Sequence, residues 1–148
     1  MSGECDQCGE HCLECRCIHK EIQNTRQDLY SSLAKEYANL YGKYCFFECG
    51  PGWYYILREL SQKITYHLKE RVDRGRDQET DEPLVCQVKE KYGGLRYYVN
   101  STFDEVYDMI AAAERESLRT CEECGESGKQ YSRNRWVYTR CKECWEKE

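Results

Sequence analysis

Two Cys-x-x-Cys pairs near the C-terminus, Cys121/Cys124 and Cys141/Cys144, restrict what this chain can become more than any other feature. Each pair sets two thiols on one tight turn. Four thiolates that converge on one ion close a tetrahedral site, and a site with no open position is structural rather than catalytic. Gly125 follows the first pair, where the backbone must turn sharply, and Trp136 to Thr139 between the pairs reads as a strand. The competing reading is a pair of vicinal redox dithiols.

The spacing resembles a treble clef or a zinc ribbon. Twelve cysteines in 148 residues is a density that signals a disulfide or metal scaffold. The polar stretch Met1 to Glu10 does not read as a signal peptide. A reducing compartment is therefore expected, and there metal binding is the better use of the thiols. A second cluster supports this. Cys5-x-x-Cys8-Gly9 forms one candidate knuckle, and Cys15 with Cys17 closes the preferred site. The alternative set is Cys5, Cys8, Cys12 and Cys15, with His11 and His19 as weaker substitutes because thiolates normally win for zinc. Two Zn2+ ions per chain are expected.

Between the clusters lies the apolar periodicity of a folded core. We divide the chain into an N-terminal zinc-binding cluster (1–19), an α+β core (20–118) and a C-terminal four-cysteine module (119–148). Ile22, Leu29, Leu33, Tyr37 and Leu40 share one helical face. Tyr44 to Phe47 is a short strand-like run, and Glu48-Cys49-Gly50-Pro51-Gly52 is turn chemistry. A second helix from Trp53 carries the stripe Trp53, Ile56, Leu57, Leu60, Ile64 and Leu68. The charged stretch 69–83 reads as a helix end followed by a loop. Leu84 to Lys91 and Leu95 to Val99 then form a hairpin around Gly93-Gly94. Thr102-x-x-Glu105 reads as a capping box that opens a third helix, with Phe103, Val106, Tyr107, Ile110 and Leu118 inward. The expected architecture is three helices on a small antiparallel sheet, flanked by two zinc modules. Cys45, Cys49 and Cys86 read as small core residues, and a third metal completed by His67 is the lesser alternative.

Lys plus Arg is 22 and Asp plus Glu is 27, a formal charge of −5. That excludes a protein that coats DNA by global charge but not a local basic patch. No apolar run approaches the ~18 residues of a membrane span. No Gly-rich phosphate loop, His-Glu-x-x-His motif, nucleophile elbow or zinc-deaminase signature is present. Glu122 and Glu123 read as ordinary surface charges. Two surfaces remain as binding candidates. One is the hairpin, with Lys89, Lys91, Tyr92, Arg96 and Tyr98; the other is the C-terminal ribbon, with Arg133, Arg135 and Trp136 among Tyr131, Tyr138 and Arg140. Cations beside aromatics suit stacked bases and phosphates, and they suit a protein interface equally.

Four phrases occur together: Cys5-x-x-Cys8-Gly9-Glu10-His11; Glu48-Cys49-Gly50-x-Gly52-Trp53; Val88-Lys89-Glu90-Lys91-Tyr92-Gly93-Gly94-Leu95-Arg96-Tyr97-Tyr98; and Ala113-Glu114-x-x-Ser117-x-x-Thr120-Cys121-x-x-Cys124-Gly125. Over most of its length the chain thereby resembles a group of small cysteine-rich zinc-binding proteins of tailed bacteriophages and prophages. The resemblance implies a protein made in the cytoplasm of an infected bacterium, and it carries no catalytic residues across. The expected function is a non-enzymatic zinc protein that binds and modulates a host protein or protein–nucleic-acid machine, in host takeover or against host defence. Direct nucleic-acid binding is the alternative, followed by nucleotide binding at Gly93-Gly94 and Arg96 or an enzyme. Tyr-rich surfaces also permit a homodimer.

Overall fold

A computed structural model describes residues 26–75 and 82–148. Cys5, Cys8, Cys12, Cys15 and Cys17, the helix position Ile22 and most of the acidic half of the charged stretch lie outside the described residues. The elements are α1 (Arg26–Glu36), β1 (Tyr41–Glu48), a 3-10 turn (Pro51–Trp53), α2 (Tyr54–Asp73), β2 (Val85–Lys91), β3 (Gly94–Val99), α3 (Asp104–Ser117), β4 (Lys129–Arg133), β5 (Trp136–Arg140) and α4 (Lys142–Glu146). The chain is mixed α and β, with two small sheets and a cysteine cluster near its C-terminus. No helix among the described residues is long and apolar enough to cross a membrane.

The larger sheet has the order β1-β2-β3 and is mixed, not antiparallel as expected. β2 and β3 form the anticipated hairpin, but β1 runs parallel to β2. The reason is topological. α2 lies between β1 and β2 and returns the chain to the same end of the sheet, so the two strands must point the same way. α2 buries Trp53 at its cap and Leu57, Leu60 and Ile64 along its stripe. α1 contributes Tyr30 and Leu33, and the same face continues past its end through Leu40. Val85, Val88, Leu95 and Tyr97 line the inner face of the sheet. Tyr97 on β3 donates to the Tyr41 hydroxyl on β1 at 3.0 Å. Tyr41 bonds Ser61 Oγ on α2 at 2.7 Å, and Ser61 bonds the Leu57 carbonyl at 2.7 Å. Burial pushes both tyrosine pKa values well up, so the chain of hydroxyls stays neutral.

Three local expectations need correction. The capping box at Thr102 is not the helix start: the cap position is Phe103, whose side chain makes no cap bond, and α3 begins at Asp104. On α3 the inward face is Val106, Ile110 and Ser117, so Tyr107 is turned outward and Leu118, beyond the helix end, is exposed as well. Of the core cysteines only Cys49 is buried; Cys45 is half-buried and Cys86 is exposed.

The turn at 50–53 is the contact between the core and the first Cys-x-x-Cys loop. The Gly52 N–H donates to the Glu122 carbonyl at 2.7 Å, and the Gly50 N–H donates to the Glu122 carboxylate at 2.7 Å. The Trp53 indole N–H donates to the Thr120 carbonyl at 2.9 Å. The two backbones are so close that a Cβ at Gly52 would lie 2.1 Å from the Cys121 carbonyl oxygen, and one at Gly50 would lie 2.5 Å from the Glu122 carbonyl oxygen. These glycines are required for approach. We predict that Gly52→Ala costs at least about 3 kcal/mol, the upper part of the overpacking range, because rigid backbone meets rigid backbone. Equilibrium denaturation measures this, and a loss below about 1 kcal/mol would show that the contact is dispensable.

Candidate metal centre

Cys121 and Cys124 lie on the loop that follows α3. That loop is closed on itself: the Gly125 N–H donates to the Cys121 carbonyl at 2.9 Å, and the Cys121 N–H donates to the Glu126 carbonyl at 2.7 Å. Gly125 holds a left-handed φ of 83°, which explains why glycine follows the second thiol. β4 and β5 then run out and back as an antiparallel ribbon. Cys141 caps α4, its sulfur accepting the Cys144 N–H at 3.3 Å, and Cys144 sits on the first turn of that helix.

The four Sγ atoms all lie within 4.8 Å of one another, and Cys124 Sγ is 3.6 Å from Cys141 Sγ. A tetrahedron with metal–sulfur bonds of about 2.3 Å has edges of about 3.8 Å. The cluster therefore needs only a small contraction, and it can hold one metal ion. Among the described residues it is the one group of three or more ligating side chains close enough to do so. Cys45, Cys49 and Cys86 form no such group with His67. Burial, with Cys86 nearby, pushes the Cys45 thiol up to about 11, as suits a packed rather than a reactive sulfur.

The electrostatics of the cluster favour a cation. Burial pushes the Cys144 thiol up to about 12 and Cys124 further. Burial also opposes ionisation of Cys141, but hydrogen bonds from Cys144 and Cys124 outweigh it and hold that thiol below its usual value. A divalent cation is what lets several neighbouring buried thiols ionise together.

The charged residues around the cluster are not surface decoration. Glu122 and Arg140 are both buried and pair at 3.1 Å. Arg140 also reaches Glu123 at 3.4 Å and Glu148 at 3.2 Å. Burial opposes the guanidinium charge, and these three carboxylates more than restore it. Burial raises the Glu122 carboxyl, while the Gly50 N–H and Arg140 pull it back. The surface reading of Glu122, and of Arg140 as part of an exposed patch, is thus corrected. A charge beside a metal ligand gave no sign in the sequence of which way it points.

The ribbon has two faces. Val137 and Thr139 turn towards the core: the Thr139 hydroxyl donates to the Gly93 carbonyl, and a Cβ at Gly93 would lie 3.1 Å from Val137 Cγ1. On the other face Tyr131 stacks on Trp145 at 4.6 Å, Tyr138 tilts against the same ring at 5.8 Å, and the Arg133 guanidinium lies 4.2 Å over it. Trp145 went unnoticed in the sequence, although its place beside Cys144 on α4 was a usable signal.

Of the candidate binding residues, Lys89, Arg96 and Tyr98 lie on the outer face of the core sheet, where Glu48 stands in register beside Lys89. Lys91 and Tyr92 lie at the tip of that hairpin, against the ribbon that carries Arg133, Arg135 and Trp136. The tip meets the ribbon through Gly93 at Val137 to Thr139, on the face opposite Arg133 and Trp136. Comparison with protein-family models, curated proteins and solved structures finds no match to this chain.

We predict that metal binding at this centre releases protons at neutral pH, from Cys124 and Cys144 at the least, so that affinity falls at least about a hundredfold for each pH unit of acidification. The sign follows from the raised thiols, which must deprotonate to bind. Zn2+ calorimetry in buffers of different ionisation enthalpy, on a Cys5→Ser/Cys8→Ser background, measures it. Buffer-independent heats would contradict it.

Proposed function

We propose that the C-terminal cluster holds Zn2+ as a structural ion in a treble-clef-like module. The order loop, hairpin, short helix supports that arrangement over a plain ribbon, because Cys141 and Cys144 open a helix rather than a second strand turn. The N-terminal thiols, with Cys5, Cys8, Cys15 and Cys17 as the preferred set, hold a second zinc. On this reading elemental analysis finds two zinc ions per chain, and Cys5→Ser/Cys8→Ser reduces the count to one. A parent count of one would remove the N-terminal site.

The function we infer is that of a non-enzymatic phage protein that docks on a host protein or protein–nucleic-acid machine in the bacterial cytoplasm and modulates it. One observation carries this reading. The C-terminal ribbon carries the exposed Trp136 on a strand that is anchored to the core hairpin, where the Thr139 hydroxyl donates to the Gly93 carbonyl, and that runs directly into the second thiol pair. A preorganised surface loses less entropy on docking than a free loop. Trp136 is 69% exposed in this setting, and large exposed aromatics in a rigid frame are characteristic interface anchors.

The test is a tagged pull-down from bacterial lysate, with and without nuclease, using the parent chain and Trp136→Ala. The expected result is a stoichiometric partner retained by the parent and lost by the variant. Retention of the same partners by Trp136→Ala would remove this surface from the account.

A further inference from the structure

Pairing register defines the outer face of the core sheet. Phe46, Phe47 and Glu48 on β1 stand beside Gln87, Val88 and Lys89 on β2, and these stand beside Tyr98, Tyr97 and Arg96 on β3. Val88 and Tyr97 are buried and Phe47 stacks on Tyr30, so the middle row points into the core. Side chains alternate along a strand, and the rows on either side therefore point outward. One outward row is Phe46, Gln87 and Tyr98; the next is Glu48, Lys89 and Arg96. Lys91 continues the outward column of β2. Among the described residues, the core cluster includes none of these outward side chains.

The first row holds two open rings. Phe46 is 65% exposed and Tyr98 41%. They sit on the two outer strands, two strand spacings or about 10 Å apart. The second row holds the charge, about 7 Å further along the strands. Its one carboxylate, Glu48, accepts from Gln87 Nε2 at 2.8 Å. Among the described residues, none of Lys89, Lys91 and Arg96 makes an ion pair. Three cations thus share this face with one carboxylate that is already hydrogen-bonded, on a chain whose net charge is −5.

We propose that the outer face of the core sheet binds single-stranded nucleic acid, with bases stacked on Phe46 and Tyr98 and phosphates met by Lys89, Lys91 and Arg96. Charge complementarity selects a polyanion, and the open rings select one whose bases are free to stack. In a duplex the bases already stack on each other, and a flat sheet face offers no helix or ribbon to enter a groove. A second copy docked face to face would set the same cations against one another, which charge opposes. None of these residues lies on the ribbon that carries Trp136, so the inference goes beyond the docking reading and can fail without it.

The experiment is fluorescence anisotropy on the full zinc-loaded chain, with a labelled oligo-dT 15-mer and a duplex of equal length. The single strand is expected to bind at least about tenfold more tightly than the duplex. Its affinity should fall with salt at a log–log slope of about −2, from three phosphate contacts at about 0.7 each. Phe46→Ala and Tyr98→Ala should each weaken binding about tenfold. Phe46→Leu, which keeps an apolar side chain but removes the flat ring, should weaken it as well. Lys89→Gln and Arg96→Gln should each flatten the slope by about 0.7. All these side chains lie outside the core cluster, so the thermal midpoints should stay within a few degrees of the parent's. Trp136→Ala should bind the strand like the parent.

Absent binding at low salt, duplex binding as tight as single-strand binding, or ring variants that bind like the parent would each overturn the inference. So would displacement of the strand by poly-glutamate as readily as by unlabelled oligo-dT, because the face would then take an acidic protein chain without using its rings. If the strand does not bind but a nuclease-resistant protein is still captured through Trp136, the inference falls and the docking reading stands. If the strand binds and no such protein is captured, the inference stands and the docking reading falls.

Discussion

Glu122 joins the two halves of this molecule. Its backbone carbonyl accepts from Gly52, its carboxylate accepts from Gly50, and the same carboxylate pairs with Arg140 at the end of β5. One residue, adjacent to a metal ligand, thereby satisfies the turn that leads into α2 and the strand that leads into the second thiol pair. The contact works only because Gly50 and Gly52 leave no side chain between the backbones. It also explains why so small a core is tied to a metal centre. An ion held by the four thiols would fix the loop, the loop fixes the turn, and the turn starts the helix that fills the core. Small cores gain little margin from burial alone.

Much of this was legible in the sequence, and the parts that were not share a cause. The four C-terminal thiols were readable because Cys-x-x-Cys is a local geometric unit, and the structure gathers all four. The α2 stripe and the β2–β3 hairpin were readable for the same reason: helical period and a Gly-Gly turn are local signals. The parallel pairing of β1 was hidden, because strand direction depends on where the intervening helix lies and not on the strand's own residues. Glu122 and Arg140 looked like surface charges because no local pattern reports a partner far away in the chain. Cys86 looked like core but faces outward, since a bulge in the pairing between Val85 and Gln87 shifts the alternation there.

The same architecture bears on function. The ribbon's inner face is spent on the core, through Thr139 and Val137 against Gly93, and its outer face holds Trp145 under Tyr131, Tyr138 and Arg133. The two turns remain exposed, and there Tyr92 and Arg135 hold the left-handed backbone that favours glycine or asparagine.

The central claim is that the metal centre and the core form one cooperative unit through Glu122. Residue-resolved hydrogen exchange before and after metal chelation tests it most directly. The account predicts that the Gly50 and Gly52 amides lose protection together with the Cys121 amide when metal is removed, and that α2 amides near Leu57 follow. Core amides that keep full protection while the Cys121 loop exchanges freely would contradict it.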